Sequence, residues 1–123
     1  EGNVMRAMFL ALITAIPAVA APPHYLDVYN TAPSSLVSIG VAPAGTTAFR
    51  ITSFADRPIG GGGDSVTVAI DSTDADCIRD LRLAFADGRV LMQKGFNVCR
   101  FRSYHTGRYW RSAVMDSRFT AQH

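Results

Sequence analysis

Apolar and polar residues alternate with a period of two along most of this chain, and the alternating stretches are separated by turns rich in Gly, Pro or Asp. This alternation predicts half-buried β-strands, because successive side chains of a strand point to opposite faces. The predicted strands are residues 25–30, 35–42, 47–54 and 65–70, with two more within residues 77–99. Short strands at this spacing are typical of a small sandwich or barrel. We therefore predict an all-β fold, a small antiparallel β-sandwich that is Ig-like or similar.

Two of the predicted strands alternate regularly enough to assign a buried face. Residues at every second position of a strand share one face, and in these strands those positions are apolar. The predicted core positions are Val37, Ile39 and Val41 in the second strand, and Val66, Val68 and Ile70 in the fourth. A turn at residues 43–45, which contains Pro and Gly, reverses the chain after the second strand.

The segment bracketed by the two cysteines predicts a disulfide-clamped β-hairpin. Asp87 and Gly88 are the preferred pair for a two-residue type I′ turn. In that register Cys77 falls one residue short of Cys99, and a one-residue bulge at Gly95 corrects the mismatch. Directly opposed residues lie within the Cα separation that a disulfide requires. We therefore expect a Cys77–Cys99 disulfide in an oxidising compartment, the alternative being two reduced, buried thiols.

The N-terminal residues form a pattern of their own. From Met5 the chain has one basic residue, Arg6, then an apolar run over residues 7–16, a proline, and the small pair Ala18 and Ala20. This order is typical of a secretory signal peptide, and the run is shorter than the roughly 20 residues that span a bilayer. The alternative is an N-terminal core helix. We expect three segments and no membrane span in the mature form: residues 1–4, upstream read-through; residues 5–20, signal peptide; residues 21–123, one β domain with a basic, aromatic C-terminal segment.

Two stretches carry a resemblance to a known group of proteins. "YNTAPSSLVSIGVAPAG" and "DCIRDLRLAFADGRVLMQKGFNVCR" resemble small exported bacterial proteins with a Cys-bracketed Phe-Ala-Asp-Gly hairpin and no assigned activity. Shared features are the signal peptide, an opening strand that ends in Asn, and the late Cys to Asn-Val-Cys segment. The likeness covers roughly residues 25–100. It implies export, a disulfide and a β fold, and it supplies no catalytic residue.

Catalytic motifs are not evident in the sequence. A G-x-S-x-G nucleophile motif does not occur, and the histidines after the predicted cleavage site are isolated from one another: His24, His105 and His123. Copper binding by the Pro-Pro-His start is excluded because Pro23 has no amide proton to lose. We therefore predict that the protein is not an enzyme and holds no metal or cofactor.

Two loops have compositions that occur in ligand sites. Asp71, Asp74 and Asp76 gather oxygen ligands suited to a hard cation, but their spacing differs from an EF-hand loop. Aspartates that form Asx-turns between two strands are the preferred interpretation. The "GGGGD" stretch at residues 60–64 lacks the Lys-Ser/Thr of a phosphate-binding loop and precedes a strand, so we expect a mobile connection.

The C-terminal quarter is basic. Residues 94–123 carry six basic residues against one aspartate, whereas residues 22–93 carry five arginines against eight aspartates. Arginines alternate here with aromatic residues, which suits binding of phosphate, carboxylate or sugar surfaces. The predicted binding residues are Arg100, Arg102, Arg108, Tyr109, Trp110 and Arg111. The alternative is a final strand whose rings complete the core while its arginines pair with Asp80 or Asp56. The pattern leaves strand and short helix equally open.

These observations predict a periplasmic or secreted protein. We expect a non-catalytic binding or interaction module of the envelope, whose partner is an envelope protein or an anionic surface. The alternative is a small inhibitor of an envelope-directed hydrolase, for which a rigid protruding hairpin would serve. A basic, aromatic segment can also bind nucleic acid. Because we expect the protein to be exported, we predict no nucleic-acid partner.

Overall fold

The computed structural model describes residues 22–71 and 77–116, which form two β-sheets facing each other. The strands are short and alternate with tight turns, as the period-two pattern predicts. They are β1 (His24–Asn30), β2 (Leu36–Pro43), β3 (Arg50–Ser53), β4 (Asp64–Ile70), β5 (Ile78–Phe85), β6 (Arg89–Asn97), β7 (Ser103–His105) and β8 (Val114–Met115). One 3-10 helix, Thr106–Ser112, joins β7 to β8. The predicted all-β sandwich with a disulfide is confirmed.

The two sheets differ in size and in the direction of one strand pair. The smaller sheet has the order β4-β1-β7 and the larger one β3-β2-β5-β6-β8. β7 runs parallel to β1, with Tyr104 opposite Val28, while the other ladders of the described strands are antiparallel. In the described part of the chain, no helix has the length and apolar character needed to cross a membrane.

The core lies between the sheets. Its buried residues come from both of them: Leu26, Val28, Leu36, Ile39, Val68, Ile70, Leu81, Leu83, Phe85, Leu91, Val98 and Tyr104. Val68 and Ile70 confirm the predicted face of β4. The face predicted for β2 is wrong at Val37, because the β2–β5 ladder shifts by one residue between Leu36 and Ser38. This bulge lets Leu36 as well as Ile39 enter the core.

The turn of the β5–β6 hairpin differs from the predicted two-residue type I′ turn. Ala84 pairs with Val90, and the Gly88 N–H donates to the Phe85 carbonyl at 3.0 Å. The loop therefore has three residues, 86–88. A type I′ turn needs positive φ at both central residues, but Gly88 has a φ of +91° while no non-glycine residue in the described ranges has a positive φ. The Asp-Gly pair thus forms a type I turn closed by a left-handed glycine.

The bulge near the open end of the hairpin lies where the sequence predicts it. Asp80 of β5 faces both Lys94 and Gly95 of β6, and Gly95 has a φ of +70°. The resulting shift brings Cys77 and Cys99 together with a Cα separation of 5.4 Å, and they form the predicted disulfide. Joining residues 22 apart contributes about 3 kcal/mol of stability in the chain-entropy account.

A buried polar cluster of Asn30 and Thr106 connects four segments of the chain. Both residues are fully buried, at 0% exposure. The Asn30 amide donates to the carbonyls of Ser34 (2.9 Å) and Ile59 (2.7 Å), and its oxygen accepts from the Thr106 hydroxyl at 2.8 Å. The Ala32 N–H donates to Thr106 Oγ1 at 3.1 Å. This cluster fastens the end of β1 and the following loop to the start of the 3-10 helix.

We expect Thr106→Val to lower the free energy of unfolding by about 2 kcal/mol, because it removes two buried hydrogen bonds and leaves Asn30 Oδ1 and the Ala32 N–H only the longer bond between them, at 3.3 Å. The exposed Thr67 also donates through its hydroxyl, to Asp27 at 2.7 Å, and Thr67→Val is the matched control. The control should change stability by less than about 0.5 kcal/mol. Urea unfolding of the two variants provides the measurement, and equal losses would contradict the assigned role of the cluster.

Candidate functional site

The basic aromatic C-terminal segment forms both a strand and a short helix, the two structures that its sequence left open. Its first part is strand β7 at the edge of the smaller sheet, and the 3-10 helix follows directly. Tyr104 of β7 is buried in the core, at 1% exposure, so one tail aromatic completes the core as the alternative interpretation expected. The same alternative expected tail arginines to pair with Asp80. The Asp80 carboxylate instead accepts hydrogen bonds from backbone N–H groups.

The periodicity of the 3-10 helix separates the side chains that the sequence places side by side. Such a helix has three residues per turn, so consecutive side chains point about 120° apart. Tyr109 stacks on Tyr104, with ring centroids 5.0 Å apart, whereas Trp110 packs edge-on against Phe85 at 4.8 Å. The two neighbouring rings therefore serve different parts of the molecule.

A groove of about 370 Å³ lies at the open side of the sandwich where β6 and β7 face each other. We call it the β6–β7 groove. It is lined by β6, the segment after it, β7 and the 3-10 helix. The lining residues are Gln93, Gly95, Phe96, Asn97, Phe101, Ser103, Tyr104, His105, Arg108 and Tyr109. Its size falls within the range of roughly 300–1,000 Å³ that is usual for ligand sites.

Four packed rings line the groove. Phe96 meets Tyr104 edge-on at 5.5 Å and Phe101 at 5.7 Å, and Tyr109 lies nearly parallel to Tyr104. Burial, with a smaller contribution from neighbouring Tyr109, raises the pKa of the Tyr104 hydroxyl. This hydroxyl therefore stays protonated and donates to Gln93 Oε1 at 3.2 Å. The rings are held by one another and by this hydrogen bond, so the aromatic surface is preorganised.

Two amide side chains present donors at the groove. The Gln93 oxygen is occupied by the Tyr104 hydroxyl, and the Asn97 oxygen accepts the N–H groups of Cys99 and Arg100 at 3.0 Å each. These hydrogen bonds fix the orientation of each amide, and they use only its oxygen. Within residues 22–71 and 77–116, neither NH₂ group has a hydrogen-bond partner. The groove thus offers two oriented donors.

The predicted binding residues divide between the groove and the rest of the surface. Arg108 and Tyr109 line the groove, and the Arg100 guanidinium lies over the ring of Phe101 at 5.4 Å from its centroid. Arg111 is exposed one turn beyond Arg108 on the same side of the helix, about 6 Å further along its axis. Arg102 is exposed, and its carbonyl accepts the N–H of a β1 residue.

Trp110 lies away from the groove. Its ring is partly buried, packs against Phe85 and carries the Arg89 guanidinium over its face at 5.2 Å. Both partners belong to the tip region of the β5–β6 hairpin. Trp110 therefore covers that end of the core, and the structure does not bring it together with Tyr109 on one surface.

Asp80 stabilises the backbone at the bulge that lines the groove. It is buried, at 4% exposure, and its two carboxylate oxygens accept the N–H groups of Gly95 and Gly45, each at 3.0 Å. These hydrogen bonds, from Gly95 above all and also from Gly45, hold the pKa of Asp80 below its ordinary value, with help from the charge of Lys94. Because Gly95 lines the groove, the carboxylate fixes the bulge that shapes it.

A larger groove of about 500 Å³ lies at the opposite open side, between β3 and β4. Its lining is mainly aliphatic, and its charged groups are engaged with one another: Arg50 and Asp71 are 3.9 Å apart, and the Arg79 guanidinium donates to the Asp71 and Ile78 carbonyls. This groove has volume but no comparable set of available donors. The β6–β7 groove is therefore the better candidate site.

The histidines and aspartates that could serve catalysis or metal binding are not gathered in one place within the described residues. The His105 ring stacks flat on Tyr29, with centroids 4.8 Å apart, and His24 lies 3.7 Å from a sulfur of the disulfide. His123 and the aspartates at 74 and 76 lie outside the described residues. Within the described ranges, no group of three His, Cys, Asp or Glu side chains is placed to hold a metal ion.

Sequence reasoning missed the contribution of β6. Gln93, Phe96 and Asn97 line the groove, yet the strand's simple alternation places Gln93 and Phe96 on opposite faces. The bulge at Gly95 shifts the alternation by one, so Phe96 packs against the core side along with Val98. The predicted bulge was the signal that could have revealed these residues.

Comparison of the chain with protein-family models, with curated proteins and with solved structures finds no match.

We expect the stability that Asp80 supplies to depend on pH. Its folded-state pKa is depressed relative to about 3.9 in the unfolded chain, so the contribution is present above that value and is lost as the pH falls through the folded pKa. Asp80→Asn should lower stability at neutral pH and flatten the acid limb of the stability profile. Urea midpoints from pH 7 to about pH 2.5 measure this. Asp56→Asn, at an exposed aspartate, should leave the profile unchanged, and a wild-type profile in Asp80→Asn would contradict the prediction.

Proposed function

We propose that this protein is an exported, non-catalytic binding module of the cell envelope, and that it binds its partner in the β6–β7 groove. The observation that carries the proposal is the preorganised aromatic surface of the groove with Arg108 at its edge. Rings that are fixed before binding lose little conformational freedom when a partner arrives, and arginine adds oriented donors for an anionic group. Residues that bind in this proposal are Arg100, Arg108 and Tyr109 from the predicted set, together with Gln93 and Asn97.

The inhibitor alternative receives less support. An inhibitory hairpin should protrude, but the tip of the β5–β6 hairpin is fastened to the loop after β1. The Ala86 N–H donates to the Ser35 carbonyl at 2.8 Å, and the Asp87 N–H donates to Ser34 Oγ at 3.3 Å. Trp110 covers the same end of the hairpin through Phe85. We therefore place the binding module first.

Export is proposed from the sequence pattern of residues 5–20, and the disulfide supports it, because such bonds persist in oxidising compartments. Expression of the chain in a bacterium and mass spectrometry of the periplasmic fraction test this directly. The mature protein is expected to begin near Ala21 and to weigh less than the reduced form by the two thiol hydrogens. Retention of the residues before Ala21, or two free thiols in the recovered protein, would overturn the proposal of export.

The binding proposal predicts which substitutions weaken partner capture. The disulfide-bonded mature protein is immobilised and exposed to envelope extract, and the amount of captured partner is compared between variants. The double change Arg108→Ala with Tyr109→Ala should reduce capture at least about tenfold, because it removes a charged donor and half of the stacked ring pair. Arg111→Ala removes an equal charge one turn away from the groove and should leave capture unchanged.

Trp110→Ala separates binding from folding. Trp110 packs on Phe85 outside the groove, so its removal should cost about 2 kcal/mol of stability while the folded protein still captures its partner. Thermal unfolding of every variant accompanies the capture assay. If loss of capture follows Trp110 and Arg111 rather than Arg108 and Tyr109, the partner binds elsewhere and the groove is not the site.

A further inference from the structure

The ring of Tyr109 offers a flat platform in the β6–β7 groove. It is 38% exposed, and one of its faces is covered by Tyr104, whose ring lies almost parallel to it with an interplanar angle of 13°. Tyr104 is itself buried, so the stacked pair cannot turn freely. The electron-rich face of an aromatic ring attracts slightly positive C–H groups that point at it, such as the axial C–H groups on one face of a pyranose chair. Tyr109 is therefore suited to a ring-shaped ligand, including the C–H face of a pyranose.

The charge of the groove selects an anionic ligand. Arg108 lines the groove, and none of the lining residues is acidic. Over the part of the chain that the structure describes, no carboxylate lies within ion-pair distance of Arg108 or of Arg100. The exposed Lys94 adds a further positive charge beside Gly95. Among the described residues, Arg108 and Arg100 thus offer an anion charged donors that no carboxylate pairs with.

The remaining donors of the groove require a ligand rich in oxygen. Gln93 and Asn97 each present an NH₂ group, because their oxygens are occupied within the protein. Each NH₂ group and the Arg108 guanidinium need acceptors on the ligand. A peptide made only of acidic residues would supply carboxylates but no ring for Tyr109, and a simple aromatic carboxylate would supply a ring but few acceptors. A sugar acid supplies a ring face, a carboxylate and several hydroxyl oxygens together.

We propose that the β6–β7 groove binds a carboxylate-bearing saccharide, with a pyranose ring on Tyr109, the carboxylate on Arg108 and the hydroxyl oxygens on the amides of Gln93 and Asn97. This inference rests on the proposed binding function and names its ligand class. A groove of about 370 Å³ holds a short stretch of such a chain, one or two sugar units at a time. The basic residues Arg100 and Lys94 flank the groove and meet the next acidic units.

Titration with trigalacturonate, a short acidic saccharide, tests the proposal. Isothermal calorimetry measures affinity, and the side-chain amide resonances of Gln93 and Asn97 report the place of binding in a ¹H–¹⁵N spectrum. The neutral trimer of galactose, which keeps the ring faces but lacks the carboxylates, should bind at least about tenfold more weakly. Added salt should weaken the acidic trimer more than the neutral one.

Variants assign the roles of the two central residues. Arg108→Ala should weaken trigalacturonate at least about tenfold and abolish its preference over the neutral trimer. Tyr109→Ala should abolish binding of both trimers, while Tyr109→Phe, which keeps the ring face, should retain it. Arg57→Ala, at an exposed arginine after β3 and therefore beside the edge of the larger sheet away from β6, is the control of equal charge and should bind as the unchanged protein does. The amide spectrum of each variant shows that it remains folded.

The outcomes separate this inference from the function on which it rests. Binding of trigalacturonate that moves the Gln93 and Asn97 resonances and depends on Arg108 and Tyr109 supports it. If trigalacturonate does not bind at millimolar concentration, or hexaglutamate binds in its place, the saccharide assignment is overturned. The binding function then stands only if capture from envelope extract still depends on Arg108 and Tyr109, and falls if it does not.

Discussion

The architecture depends on one buried set of hydrogen bonds, between the Asn30 amide and the Thr106 hydroxyl. These residues lie 76 positions apart in the chain, and together they satisfy the backbone of the loop after β1 and anchor the first residue of the 3-10 helix. Because an unpaired polar group in the core is costly, the buried Thr106 hydroxyl depends on the Asn30 oxygen and the Ala32 N–H as its partners. The position of Tyr109, three residues after Thr106, follows from this anchor, and so does the shape of the β6–β7 groove.

Features with a local cause could be predicted from the sequence. The strands of the hairpin, the bulge at Gly95 and the Cys77–Cys99 pair follow from alternation, from the missing Cβ of glycine and from the spacing of two cysteines. The turn type did not follow, because Asp-Gly fits both a two-residue loop and a three-residue loop that ends in a left-handed glycine. The choice is made by the body of the domain, where the Ala86 and Asp87 N–H groups find partners in residues 34 and 35.

Features that depend on distant pairing could not be predicted. Nothing local in residues 103–105 indicates that this strand lies parallel to β1, and the glycine run expected to be a mobile connection donates from Gly63 to the Asn30 carbonyl at 2.9 Å. The candidate site was predicted in part for the same reason. The composition of the C-terminal segment pointed to Arg108 and Tyr109, but it also assigned Trp110 to the same surface. The 3-10 helix separates the neighbouring rings, and its periodicity cannot be read from residue types alone.

The parallel pairing of β1 with β7 has a consequence for the order in which the molecule can form. β1 lies at the centre of the smaller sheet, yet its second neighbour is made from residues near the other end of the chain. Hairpins close early because their ends are near in sequence, whereas a contact across 76 residues must wait for a long loop to close. The seating of β7 is thus a late event, and the groove, which needs β7, is assembled last. A chain in which residues 103–109 have not yet docked against β1 therefore lacks a complete β6–β7 groove.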